Sequence, residues 1–326
     1  METRVLFLPL NFGEVVQSGI YDAFRQAGCN LEVFDYMMLF TRRKHSRAVR
    51  EYFINRVKNF RPNLIHMQIQ HTTVIDSRSV GVVKQENPNT IVVNWTGDVR
   101  NYVPQTYSRM ATVSDYNLIS STGQIELFKS VTHKDIKYWQ IGYNPHLYYP
   151  CSHTPQTFQY DISFIGNCSP RERYPGAPTR IDACKLLRGN FGMRFGLFGN
   201  GWPRDCKSSY SIDQRKVMDI YHNSLCCLSV SHYNDLNHYF SDRLLMCMAS
   251  GRPTISLRFP GWDSYFTDMC DLIIVDNINQ IPEKVEMLKR DPDLANYIGA
   301  SGAAKVAAEH TYLSRIRELL NMVGLV

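Results

Sequence analysis

The chain opens on an apolar run, Val5-Leu-Phe-Leu-Pro-Leu10, and short runs of the same kind return along it, separated by stretches of helical period. Residues 4–10, 31–34, 64–70, 90–95, 117–120 and 136–141 read as strands, each a compact apolar block bounded by turn-forming or polar residues. Residues 14–27 fit a helix closed by Gly28 at a left-handed cap. A linker-like stretch runs from Tyr148 to Pro155, and the alternation then restarts. Strands are expected at 160–166, 193–199, 225–230, 254–257 and 271–275, with helices at 180–187, 212–222 and 242–250 and a helical remainder to Leu325. Strands alternating with helices imply parallel sheets covered on both faces. The expected architecture is therefore α/β in two similar halves, 1–150 and 151–326, each large enough for its own core. In such sheets ligands sit at the carboxyl ends of strands, so the loops there are the candidate sites.

Composition narrows the class. With 44% hydrophobic and 20% charged residues, the 326-residue chain is neither disordered nor a small disulfide scaffold. No segment approaches the ~18 consecutive apolar residues that a membrane span needs. The opening run is too short and too poor in flanking positive charge for a secretory signal, and reads as a buried strand. Nine cysteines, odd in number and without a C-x-x-C pair, suit reduced thiols and a cytoplasmic location.

The formal charge of +6 is unevenly placed. Residues 1–150 hold 17 basic and 12 acidic side chains, whereas residues 151–326 hold 19 and 18. Between Leu39 and Pro62 eight basic residues face one acid, Glu51. There Val49, Tyr52, Phe53, Val57 and Phe60 repeat at helical steps as an apolar stripe, and Arg43, Arg47, Arg50, Lys58 and Arg61 follow the same step opposite. Two readings stand: a solvated helix face, or a basic ridge that meets a polyanion.

Three motifs could carry chemistry. The strand ending in Phe164-Ile-Gly166 runs into Asn167-Cys-Ser-Pro-Arg171-Glu-Arg173, where Gly166 permits close backbone approach and two arginines follow. Phe198-Gly199-Asn-Gly201-Trp202 repeats the idea, with a tryptophan that could flank a flat ring. In His238-Tyr-Phe-Ser241-Asp242-Arg243, a helix begins just after a polar loop. Its unpaired N–H groups and Arg243 suit a diphosphate. No G-x-x-x-x-G-K and no G-x-G-x-x-G after a strand occurs, so neither an ATPase nor a dehydrogenase is indicated. In the first half the strand-end candidates are Asn11, Gly13, Gln70, His71, Asp98 and Arg100. His66 reads as a core histidine, and no metal-ligand cluster accompanies it.

The run Phe240-Ser-Asp-Arg-Leu-Leu-Met-Cys-Met-Ala-Ser-Gly-Arg-Pro253 resembles the donor-site helix of GT-B glycosyltransferases, nearest to the group related to the spore-maturation CgeB proteins. The same family pattern is visible in Phe164-Ile-Gly-Asn167, in Phe198-Gly-Asn-Gly-Trp202, in Asp291-Pro-Asp-Leu294 and in the closing His310-Thr-Tyr-Leu-Ser-Arg-Ile-Arg-Glu-Leu-Leu320. It covers nearly all of residues 160–325; in the first half only Asn94-Trp-Thr-Gly-Asp-Val-Arg100 is similar.

The resemblance implies two Rossmann-like domains and a final helix, about 311–325, that crosses back to the first. It implies a nucleoside diphosphate sugar, a UDP-sugar foremost, on the second domain, an acceptor on the first, and no obligatory metal. Carried over by position, Ser241, Asp242 and Arg243 meet the diphosphate or ribose, and Gly166, Asn167 and Arg171 line the facing loop. Arg173, Gly199, Gly201, Trp202 and His238 are added to the donor side. One departure matters: many retaining relatives carry a glutamate within this helix and another just before it, where this chain has Met246 and His238. A retaining mechanism therefore does not follow, and ribose contact falls to Asp242. Asp98 first and His71 second are the candidate bases for an inverting transfer. With Arg43, Arg47 and Arg50 on the acceptor side, a hydroxymethylated base in DNA is the sharpest acceptor expectation. Protein or cell-surface polysaccharide is the alternative, as is a binding module without turnover.

Overall fold

A computed structural model describes residues 2–10, 17–151, 155, 157–168, 174–209 and 212–325. The chain divides into two compact units. The first comprises residues 1–141 with 312–326, and the second residues 142–311. The break falls before the linker-like stretch because that stretch is bonded to the second unit. Tyr143 N donates to His310 O at 3.1 Å and Cys151 N to Ser250 O at 3.2 Å. The Tyr148 hydroxyl donates to Gln214 at 2.9 Å.

In the first unit the order is β1 (Arg4–Leu8), α1 (Ser18–Gln26), β2 (Asn30–Val33), α2 (Tyr36–Arg43), α3 (Ser46–Phe60) and β3 (Leu64–Met67). There follow α4 (Ser77–Glu86), β4 (Ile91–Thr96), α5 (Gln105–Ala111), β5 (Tyr116–Ile119), α6 (Ile125–Thr132) and β6 (Lys137–Tyr138). All pairings are parallel, in the order β2-β1-β3-β4-β5-β6. Each face of this sheet is covered, which is why β1 is apolar without interruption. Val5 and Phe7 pack with α1, and Leu6 and Leu8 with Phe53 and Val57 of α3.

The second unit runs β7 (Tyr160–Ile165), α7 (Ala177–Phe191), β8 (Phe195–Phe198), α8 (Val217–His222), β9 (Ser224–Ser229) and α9 (Asp242–Ala249). It ends with β10 (Thr254–Leu257), β11 (Ile273–Val275), α10 (Ile281–Arg290) and α11 (Pro292–Glu309). Its sheet is also parallel, ordered β11-β10-β9-β7-β8. The last helix, α12 (Tyr312–Met322), belongs to the first unit, where Tyr312, Ile316 and Leu319 join the core built on α1, β1 and β4. The expected α/β class with two parallel sheets is what the structure has.

Two local readings change. The basic stretch is two helices, because Lys44 turns left-handed (φ 58°) and His45 is extended. Its stripe is also shorter than expected: Val49, Phe53 and Val57 are fully buried, whereas Tyr52 is exposed.

His66, on β3, is fully buried among Phe7, Phe24, Trp95 and Trp139, and neither ring nitrogen has a hydrogen-bond partner among the described residues. Burial lowers its pKa from 6.5 to about 3. The folded state therefore refuses a proton that the unfolded chain accepts. The stability this contributes is complete above the unfolded pKa and drains away as pH falls towards 3. Between pH 7 and 5 this group alone removes roughly 2 kcal/mol. Urea denaturation of wild type and His66→Phe at both pH values should show that difference in slope; parallel losses would refute it.

Candidate functional site

In the second sheet the strand order reverses between β7 and β9, and the crevice at such a switch point is where open α/β sheets hold ligands. One side chain spans it. Arg243, in the first turn of α9, donates from Nε to Ile165 O at 2.5 Å, at the end of β7, and from Nη1 to Val230 O at 3.3 Å, just past β9. Nη1 also reaches the hydroxyl of Ser241, the N-cap residue, at 3.4 Å. Asp242 accepts from the Arg243 backbone N–H at 2.8 Å.

A second guanidinium meets the first. Arg180 of α7 is 1% exposed, and its Nη1 lies within hydrogen-bond distance of the His232 ring, 2.8 Å from Nδ1. Its Nε and Nη2 have no partner among the described residues. The two arginines converge on Gly166: a methyl group there would lie 2.7 Å from Nη2 of each. Both also stack on Phe164, at 5.0 Å. Burial, and then the charge of Arg243, push Arg180 down to about 9. Burial and the two guanidiniums push His232 down to about 3, so its imidazole is neutral and accepts. A buried guanidinium with unmet donors, set beside a second cation, favours an anion between the two.

A pocket of about 290 Å³ opens beside them, lined by Gly166, Asn167, Gly199, Asp242, Arg243 and Met246 among others. Asp242 is the one carboxylate of that described lining. The strand-end loops are clasped together: Asn200 N donates to Asn167 Oδ1 at 2.9 Å and Trp202 Nε1 to Gly166 O at 2.8 Å. Trp202 thus sets its edge on Phe164 and holds the loop. His238 is not part of the described lining. Its backbone is left-handed, its N–H donates to Pro260 O at 2.8 Å, and its ring packs on Tyr265. Gly201 (φ 79°) lies against Cys168 O rather than in the pocket. Arg171 and Arg173 lie outside the described residues, as do Asn11 and Gly13. Arg180 and His232 were missed by sequence reasoning.

In the first unit Gln70 is buried with its Oε1 unpartnered among the described residues, and His71 beside it is exposed. Asp98 is exposed and ion-paired with Arg100 at 3.2 Å. The three arginines of the expected ridge part company. Arg43 stacks on Tyr52, Arg47 pairs with Glu51 at 2.9 Å, and Arg50 pairs with Asp76 at 2.9 Å. No group of three potential metal ligands occurs among the described residues.

The family described as glycosyl transferase-like matches residues 180–321. No curated protein matches the chain by sequence. Among solved structures, HepE of Anabaena in complex with UDP aligns with TM-score 0.65 and 9% identity, over 99% of this chain and 100% of that one. Sucrose-phosphate synthase of Thermosynechococcus elongatus gives 0.64 and 14%, over 99% of each chain. A glycosyltransferase of Rickettsia africae gives 0.68 and 12%, over 98% of this chain and 97% of that one. The chain has the fold of the GT-B glycosyltransferases, and its residues 180–321 match the glycosyl transferase-like family.

Proposed function

We propose that the chain is a glycosyltransferase that binds a nucleoside diphosphate sugar at the carboxyl end of β7 and transfers the sugar to an acceptor hydroxyl. The observation that carries this reading is the pair Arg180 and Arg243, two guanidiniums converging on Gly166, of which buried Arg180 keeps Nε and Nη2 unmet among the described residues. A diphosphate supplies the missing charge and acceptors. As the bond from the anomeric carbon to the phosphate oxygen breaks, negative charge grows on that oxygen, and preplaced donors stabilise it more than they do the ground state. The bond from the anomeric carbon to the acceptor oxygen forms as that hydroxyl gives up its proton.

UDP is the proposed nucleotide, supported by HepE of Anabaena, which has been solved with UDP and with UDP-glucose. Asp242 is proposed to accept from the ribose hydroxyls, since Met246, which lines the pocket, has no group for it. Asp98, or else His71, is the proposed base if the transfer inverts. Asn167, Gly199 and Ser241 are proposed to shape the diphosphate cradle around Arg243.

A DNA acceptor draws less support from the placement of charge. Arg43, Arg47 and Arg50 are each engaged with a neighbouring side chain, so they do not present the continuous row of free cations that a phosphate backbone meets. A smaller acceptor, or one on protein or polysaccharide, fits better.

The test is a panel of UDP-, GDP- and ADP-sugars with release of the nucleoside diphosphate as the readout, alongside thermal stabilisation by each free nucleotide. UDP should stabilise the protein and uridine should not, because the recognition rests on the phosphates. Stabilisation without release for any donor would leave a binding module; the absence of both would overturn the reading.

A further inference from the structure

A larger cavity, about 410 Å³, lies in the first unit, far in sequence from the pocket just described. Arg50 from α3, Arg78 from α4 and Arg109 from α5 line it, together with Thr73, Ser77 and Thr106. Its apolar lining is Ile75 and Met110, the latter 1% exposed. Three separate helices thus deliver a guanidinium to one hollow. The single carboxylate in the described lining, Asp76, is already paired with Arg50 at 2.9 Å and caps α4 by accepting from Ser79 N. Arg50 is fixed further by donating to Val74 O at 3.0 Å and Thr73 O at 2.8 Å. Arg78 and Arg109 have no carboxylate partner among the described residues. The hollow therefore carries an excess of two positive charges, with hydroxyl groups in the same lining.

Its place in the fold is also informative. Residues 73–76 belong to the connection that leaves the carboxyl end of β3, and Arg50 is near the start of α3, which returns towards the amino end of the same strand. The cavity is therefore on the carboxyl side of the first sheet, the side on which parallel sheets hold ligands.

We infer that this cavity binds a phosphate group, and that the acceptor of the proposed transfer is a phosphorylated molecule anchored there. Tetrahedral oxygens matched to several guanidinium and hydroxyl donors are what this lining suits, and the phosphate's charge balances the two unpaired arginines. The anchoring role rests on the glycosyltransferase reading; the phosphate site does not.

Met110 lines this cavity and Met246 the pocket of the second unit, so two methyl groups report on the two sites separately. The full chain labelled with methyl-13C methionine, its two signals assigned through Met110→Leu and Met246→Leu, is titrated with inorganic phosphate and, separately, with UDP. Phosphate should shift Met110 saturably. In Arg78→Gln/Arg109→Gln the affinity read at Met110 should fall roughly 10-fold or more. Both side chains are exposed, so the fold should persist, and the UDP response of Met246 should remain as in the wild type. A Met110 signal indifferent to phosphate, or one that responds equally in the double variant, would overturn the site. A Met110 response to phosphate with no Met246 response to UDP would keep the phosphate site and remove the donor reading beneath its role.

Discussion

Arg180→Met should weaken UDP binding by roughly 100- to 10,000-fold while leaving the protein as stable as before, or more so. The affinity loss follows from two charge-assisted hydrogen bonds at about 1.5–3 kcal/mol each. The stability result follows from burial. In the unliganded chain Arg180 is 1% exposed, beside another cation, with two nitrogen atoms unmet among the described residues. Replacing such a charge with an apolar side chain of similar length is commonly neutral or stabilising by roughly 1–2 kcal/mol. That gain is offset in part by lost stacking on Phe164 and Trp202, at about 1 kcal/mol.

Arg243→Met makes the contrast. It should lose UDP to a similar degree, but should also destabilise by roughly 1–3 kcal/mol, since Arg243 ties the ends of β7 and β9 together. Calorimetric titration with UDP and urea denaturation without it measure both quantities. If Arg180→Met unfolded the unit yet bound UDP normally when folded, Arg180 would be a structural cation.

The strands were legible because a parallel sheet buries both faces, and the chain then has to write each strand as an apolar block. Val5 to Leu8 and the glycines that end β7 and β8 show this plainly. The break between α2 and α3 was not legible. Its left-handed residue is Lys44, and a lysine carries none of the signal that glycine gives at such a position. Half of the proposed anion site was equally hidden. Arg243 follows a recognisable helix start, but Arg180 sits in an unremarkable helical stretch. It becomes a ligand candidate only because the fold brings its guanidinium to Gly166. The engagement of the basic stretch was hidden for a related reason. A helical wheel counts cations on one face, yet Arg50 turns to Asp76 and Arg47 to Glu51. The cations left without a carboxylate partner at the first-unit cavity, Arg78 and Arg109, lie outside the basic stretch altogether.

Gly166→Ala and Gly199→Ala should separate binding from folding at one spot. Gly166 carries no positive φ, so alanine adopts its backbone without strain. The new methyl would stand 2.7 Å from Nη2 of Arg180 and of Arg243, and 3.0 Å from Nε of Arg243, with only flexible side-chain ends to displace. The fold should therefore lose roughly 1–2 kcal/mol, much of it from loosening the Arg243 tie to Ile165. The methyl nevertheless fills the point on which both guanidiniums converge, so UDP affinity should fall roughly 100-fold or more. At Gly199 the backbone is left-handed, at φ 129°, and a methyl would lie 2.2 Å from Gly166 O and 2.6 Å from Gly166 C. Those are main-chain atoms of the clasped loop and cannot swing aside, so strain and displacement together should remove roughly 3 kcal/mol or more of stability. Chemical denaturation without nucleotide should rank Gly199→Ala far below Gly166→Ala, and UDP titration of the folded Gly166→Ala should show the binding defect alone. If Gly166→Ala bound UDP as the wild type does, the diphosphate could not lie between the two arginines, and the donor site would have to be sought elsewhere on the sheet.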